Sequence, residues 1–161
     1  ALGNLRDRAW RLACAGSTER DPTCARALER QIGLAGLGDR VALLGELDNP
    51  ALRAAYARAD AFVLASYYEG YGMAFAEALA HGLPIVATAG GATAQTVPAG
   101  AGLLVPPGDG AALHSALRRL IDDAALRARL QAGARQARDS LPSWREAGGR
   151  LAAAILDRGA R

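Results

Sequence analysis

At 161 residues the chain is the size of one domain, and the 51% of it that is hydrophobic is enough for a single packed core. No run approaches the roughly 20 consecutive apolar residues of a bilayer span, and the first residues, Ala1 to Asp7, lack the basic-then-apolar order of a secretory leader. All 19 basic side chains are arginine; nine stand against eleven acids up to Leu117 and ten against five from Arg118 onward, so the positive charge gathers in the C-terminal part.

Such a tail either meets an anionic partner, a membrane surface or nucleic acid, or is simply a solvated helix face. Trp144 is the one aromatic residue among its arginines, fewer than stacking on successive bases would want, so nucleic acid is not expected as a partner. Cys14 lies in an apolar run and Cys24 in a helical one, with no Cys-x-x-Cys pair and no histidine nearby. They read as buried or idle thiols of a reducing compartment, with no metal and no disulfide. The expected location is cytoplasmic, with peripheral membrane contact through the arginine-rich tail as a variant.

Along the chain, short apolar runs alternate with helical patterns, the signature of an α/β fold: a Rossmann-like parallel sheet wrapped by helices. Residues 2–8 read as the end of a helix and 10–15 as a strand. A helix over 22–34 has Asp21 as its cap and Pro22 at its first position. Strand 41–44 follows, then helix 50–58 capped by Asn49. The apolar run 61–65 reads as a strand covered on both faces. A loop over 69–72 opens helix 73–81, which Gly82 ends. Strand 84–88, a turn at Gly90 and Gly91, and strand 103–105 complete the alternation. A helical tail over 109–161 then contains a helix capped by Asp109 and running to about 121, one opened by Asp122-Asp123 and running to about 138, and one from Ser143 to 157. The whole of 1–161 reads as one domain. It begins on a helix where such a domain begins on a strand, so the first strand is expected upstream.

The stretch from Ser66 to Glu77 carries the chemistry. It leaves a strand and opens a helix, which in an open α/β sheet is where ligands sit. Gly70 and Gly72 let backbone N–H groups at a helix N-terminus approach an anion, and a diphosphate is the natural guest; the alternative is a loop that only turns a corner. Glu69 and Glu77 would repel phosphate but suit sugar hydroxyls, so the pair fits a ligand with both. The plainer reading of Glu77 is a helix glutamate held by backbone donors.

Glu69 to Glu77 reads E-G-Y-G-M-A-F-A-E. This resembles the E-x7-E motif of retaining glycosyltransferases with two Rossmann domains, the GT-B fold, and of their family-four group above all. The segments around it agree: R-V-A-L-L-G from Arg40, L-R-A-A-Y-A-R-A-D from Leu52, A-L-A-H-G-L-P-I-V-A from Ala78 and G-L-L-V-P-P-G-D from Gly102. The likeness runs from about Arg11 to Trp144. It implies the C-terminal, donor-binding half of such an enzyme, moving a sugar from a nucleotide diphosphate to an acceptor with retention. Glu69 would contact the transferred sugar near the reacting carbon. Backbone of Gly70, Tyr71, Gly72 and Met73 would hold sugar and diphosphate, and Glu77 would accept from the ribose hydroxyls. Gly45, Glu46 and Leu47 would meet the nucleobase, and Gly90 and Gly91 resemble the family's Gly-Gly turn near the pocket. No cofactor or metal is implied, and the partner is an N-terminal acceptor-binding domain of the same parent chain.

The departures are specific. After Gly90-Gly91 the family's Pro and acid are replaced, with Gln95 at the acid's position. The chain has no lysine, and it starts after the region that supplies the family's diphosphate-neutralising Arg and Lys. His81 and His114 fall in no matching motif and read as surface or cap residues. The fragment is therefore expected to be inactive alone. The rival readings are a non-catalytic nucleotide-sugar-binding module, whose mark would be a damaged glutamate pair, and a related GT-B enzyme, such as a sugar-nucleotide epimerase or a glycogen-type synthase or phosphorylase. The last would need a lysine for pyridoxal phosphate.

Overall fold

A computed structural model describes residues 1–141 and, beyond them, residues 145, 146, 148, 149, 152 and 153. Its elements are β1 (Leu12–Ala15), α1 (Pro22–Leu34), β2 (Val41–Gly45), α2 (Asn49–Arg58), β3 (Phe62–Leu64), α3 (Met73–Ala80), β4 (Ile85–Thr88), α4 (Thr93–Thr96), β5 (Gly102–Val105), α5 (Gly110–Asp122) and α6 (Ala124–Asp139). Every strand pairing is parallel: β1 with β2 in one ribbon, and β3-β4-β5 in one sheet. This is the α/β, Rossmann-like architecture expected.

Local chemistry starts most of the helices. Asp21, Asp109 and Asp123 each accept a backbone N–H of the following turn and so cap α1, α5 and α6, as an N-cap carboxylate does. At α2 the cap is Asp48, whose Oδ1 accepts from the Ala51 amide at 2.8 Å, and not Asn49, which is already inside the helix. Residues 2–8 do not end a helix. They make a 3-10 turn over Leu2–Asn4, after which Leu5 is buried beneath α5 and α6. Trp10 stands before β1, its indole N–H donating to the Leu5 carbonyl at 2.7 Å. Of the helix expected over 143–157, the six residues described beyond 141 are helical, and the rest lies outside the described residues.

The core sits around β4, all four of whose residues are buried. Ile85 and Ala87 face Phe75, Ala78 and Leu79 of α3 and Ala134 and Ala137 of α6. Val86, on the opposite face, meets Leu117 and Leu120 of α5 with Leu126 and Leu130 of α6. Gly133 allows α6 to touch the turn before β5: a Cβ there would lie 2.0 Å from the Gly100 carbonyl oxygen. β3, expected to be covered on both faces, is only half-buried because it lies at the edge of its hydrogen-bonded sheet. α1 and α2 bury no residue fully. The tightly packed part is thus the half that carries the loop from Ser66 to Gly72.

Candidate functional site at the N-terminus of α3

α3 starts differently from the longer helices. Its N-cap is Gly72, with φ +76°, and no side chain caps it, as none caps the one-turn α4, whereas α1, α2, α5 and α6 all take an aspartate. The amides of Phe75 and Ala76 turn back to the Gly72 carbonyl. The N–H groups before them have no side-chain acceptor, and the helix dipole leaves partial positive charge there. An anion is the complementary partner. Gly70 faces open space. Gly72 is buried, and a Cβ on it would lie 2.6 Å from the Phe75 ring. Tyr67, Tyr68, Tyr71 and Met73 stand exposed around this end.

The two glutamates are each held by a hydroxyl. Glu69 is half-buried, and its Oε1 accepts from Ser66 Oγ at 2.6 Å. Thr88 Oγ1 in turn donates to the Ser66 carbonyl, tying the loop to the end of β4. Glu77 is exposed on α3, and its Oε2 accepts from the Tyr56 hydroxyl at 3.1 Å. Burial, and after it the charge and hydrogen bond of Glu77, raise the Tyr56 phenol well above its ordinary pKa, so that it stays a donor.

Gly90 and Gly91 support the loop from below. A Cβ on Gly90 would lie 2.3 Å from the Tyr67 carbonyl oxygen, and one on Gly91, with φ +61°, 2.2 Å from that of Glu69. The Ala92 amide donates to the Glu69 carbonyl at 2.8 Å, and Thr96 Oγ1 to the Tyr71 carbonyl at 2.9 Å. The short helix α4 is therefore a clamp on the loop. Gln95, the residue at the altered position, is an exposed member of it.

Gly45, which has φ +66°, ends β2. Beyond it Glu46 and Leu47 line an open cleft of about 250 Å³ with Ala15, Gly16, Ser17, Arg20 and Leu52. This cleft adjoins the α3 site through one helix face: Leu52 and Tyr56 are four residues apart on α2, one turn, and the first lines the cleft while the second holds Glu77. α2 thus links the cleft, which adjoins the carboxyl end of β2, to Glu77 on α3. The sequence reading missed Tyr56, Ser66, Thr88, Thr96 and Arg20. Two of them carried a signal, Ser66 three residues before Glu69 and Tyr56 within the matching segment from Leu52, though neither had been given a role; the others are brought in by distant elements.

Among the described residues no three of His, Cys, Asp and Glu converge as metal ligands, and no helix is long and apolar enough to cross a membrane. Cys14 and Cys24 are free, Cys24 being exposed rather than buried. His81 caps the C-terminus of α3, and the exposed edge of His114 meets the Ala1 carbonyl.

Comparison with known proteins gives the family. A family model described as glycosyl transferases group 1 matches residues 1–123. A D-inositol 3-phosphate glycosyltransferase of Xylanimonas cellulosilytica is 37% identical over 148 residues, which cover 91% of this chain and 34% of that protein. Sucrose-phosphate synthase from Thermosynechococcus elongatus superposes with a TM-score of 0.79 at 32% identity, over 92% of this chain and 38% of the other. Anabaena Alr3699/HepE, solved in complex with UDP, superposes with a TM-score of 0.78 at 26% identity, over 92% of this chain and 41% of the other. The chain thus spans between about a third and two fifths of the length of these proteins.

Proposed function

Since the chain belongs to the group 1 glycosyltransferases, with the GT-B type of fold, we propose that it is the donor-binding domain of a retaining enzyme of that family, and that it holds a nucleotide-diphosphate sugar across the α3 site. The observation that carries this reading is the α3 N-terminus, free of any capping side chain and flanked by Glu69 and Glu77. A diphosphate takes the place of the missing cap, accepting from backbone N–H groups from Gly70 to Met73. Glu77 accepts from the ribose hydroxyls. The base lies in the cleft of Gly45, Glu46 and Leu47, with Leu52 as part of its wall. Glu69, its carboxylate oriented by Ser66, accepts from hydroxyls of the sugar that is transferred. The complexes of Alr3699/HepE with UDP and with UDP-glucose support a ligand of this class.

The reading gives the parent enzyme an N-terminal acceptor-binding domain as partner to this one. It calls for no cofactor, because the dipole and amides of α3 meet the leaving diphosphate's charge. It sets the domain in the cytoplasm, where free thiols persist. A peripheral membrane contact of the arginine-rich tail belongs to the same proposal and is tested by flotation with anionic vesicles at low and high salt.

Calorimetry of the chain against uridine, guanosine and adenosine diphosphates and their sugars tests the core of the reading. Saturable binding of at least one, at about millimolar strength or better, and weakened in Glu77→Gln, is the expected result. Absence of binding by all of them in the folded chain removes the proposal.

A further inference from the structure

Glu77 is exposed, and a bare glutamate on a helix surface samples many rotamers, so its value as an acceptor depends on what orders it. The group that orders it comes from α2. The Tyr56 ring is stacked on His81, with centroids 5.1 Å apart and planes at 17°, and touches Phe62 at 5.9 Å. Phe62 meets Phe75 edge-on at 6.0 Å, and it is the Phe75 ring that packs against Gly72. His81, the C-cap of α3, follows Glu77 by four residues, so the ring lies against the one while its hydroxyl reaches the other. A side chain held between two aromatic neighbours, one of them backed by Phe75, has little rotamer freedom left, and its hydroxyl is fixed in space.

We propose that Tyr56 is a positioning residue for the nucleotide: its hydroxyl fixes one carboxylate oxygen of Glu77, leaving the other as a pre-oriented acceptor for the ribose diol. This rests on the ribose role given to Glu77 above. Tyr56 itself need not touch the ligand. Its contribution is pre-organisation, which lowers the ordering cost of binding. His81 serves as the backing of the ring, the role that its place at the end of α3 gives it.

The test uses Tyr56→Phe, which keeps the ring, its stacking and its packing but removes the donor. UDP and 2′,3′-dideoxy-UDP are titrated into the wild-type chain, Tyr56→Phe, Glu77→Gln and the double variant, with GDP and ADP and their dideoxy forms in place of UDP if the base preference requires it. Tyr56→Phe is expected to melt like the wild type and to bind the ribonucleotide about three- to tenfold more weakly, the effect of one ordinary hydrogen bond. It should bind the dideoxy form as the wild type does, and add nothing in the Glu77→Gln background. His81→Ala, which frees the ring but keeps the hydroxyl, should show a smaller loss in the same sense. If Glu77→Gln loses binding and Tyr56→Phe does not, the positioning role is wrong while the ribose role stands. If Tyr56→Phe weakens both nucleotides equally, the effect is general packing and the positioning role is again wrong. If neither substitution matters, or no nucleotide binds, the role of Glu77 falls and the positioning of it with it.

Discussion

Gly70 and Gly72 lie two residues apart and answer to different constraints. Gly72 has a left-handed backbone and no room for a Cβ against the buried Phe75 ring. Gly72→Val therefore combines a backbone cost of about 1–2 kcal/mol with a steric clash, and is expected to lower the melting temperature whether or not a ligand binds. Gly70 has open space where its Cβ would stand. Gly70→Val should melt like the wild type yet weaken nucleoside diphosphate binding without affecting the nucleoside, because its branches stand where phosphate would approach backbone. Equal affinity of Gly70→Val and wild type for the diphosphate would move the phosphate site elsewhere. Glu77→Gln is the complementary substitution. A hydrogen bond to a charged group is worth about 1.5–3 kcal/mol, so calorimetry should read a loss near tenfold or more with the fold intact.

At the scale of elements, the loop is held in shape by parts that need not touch a ligand. The Gly90-Gly91 turn lies directly under the Tyr67 and Glu69 carbonyls, and α4 clamps the loop through Ala92 and Thr96. Gly90 is the cleaner probe of the two glycines, since only Gly91 has a left-handed backbone. Gly90→Ala must push the loop away from β4, and so should weaken nucleotide binding more than an isosteric change on the exposed face of α4, such as Gln95→Glu. Titration of the two variants with the same nucleotide, beside their melting curves, checks this. A Gly90→Ala protein that binds as tightly as Gln95→Glu would show that the loop tolerates displacement. The aspartate caps follow a similar rule in the opposite sense: α1, α2, α5 and α6 satisfy their N-termini internally, while α3 and the one-turn α4 carry no side-chain cap.

At the scale of the molecule, the surface around the candidate site is open on one side. The cleft beside Glu46 is wide, and the tyrosines around the α3 N-terminus are exposed to solvent, Tyr67 to 80%. Glycosyl transfer requires the reacting carbon to be held against an acceptor with water kept out, and positioning of this kind supplies roughly 7–11 kcal/mol of barrier lowering. The 161-residue chain alone is therefore expected to bind nucleotide without turning it over. Incubation with nucleotide sugars and a panel of acceptors should release no nucleoside diphosphate above buffer. Acceptor-dependent release at about 1 per second or faster would mean that the chain is a working enzyme by itself.

What could be read in the sequence was local in origin. Asp21 and Asp109 were legible as caps because a cap acts within three residues of its own position, and the loop was legible because Gly70, Gly72 and the two glutamates lie within nine residues of chain. The periodicity of apolar runs likewise determined the α/β class. Even there, Asp48 displaced Asn49 as a cap, since adjacent residues of one chemical type compete and the helix start decides between them. Only the tertiary structure decided the rest. β3 and β4 are similarly apolar, but their depth depends on place in the sheet: β4 lies between two neighbours and under three helices, and β3 does not. The contacts that shape the site join Tyr56 to Glu77, Glu69 to Ala92 and Tyr71 to Thr96, each between separate elements. Their existence depends on how α2, α3 and α4 pack around the sheet, and no spacing along the chain encodes the distance between a hydroxyl on one helix and a carboxylate on the next.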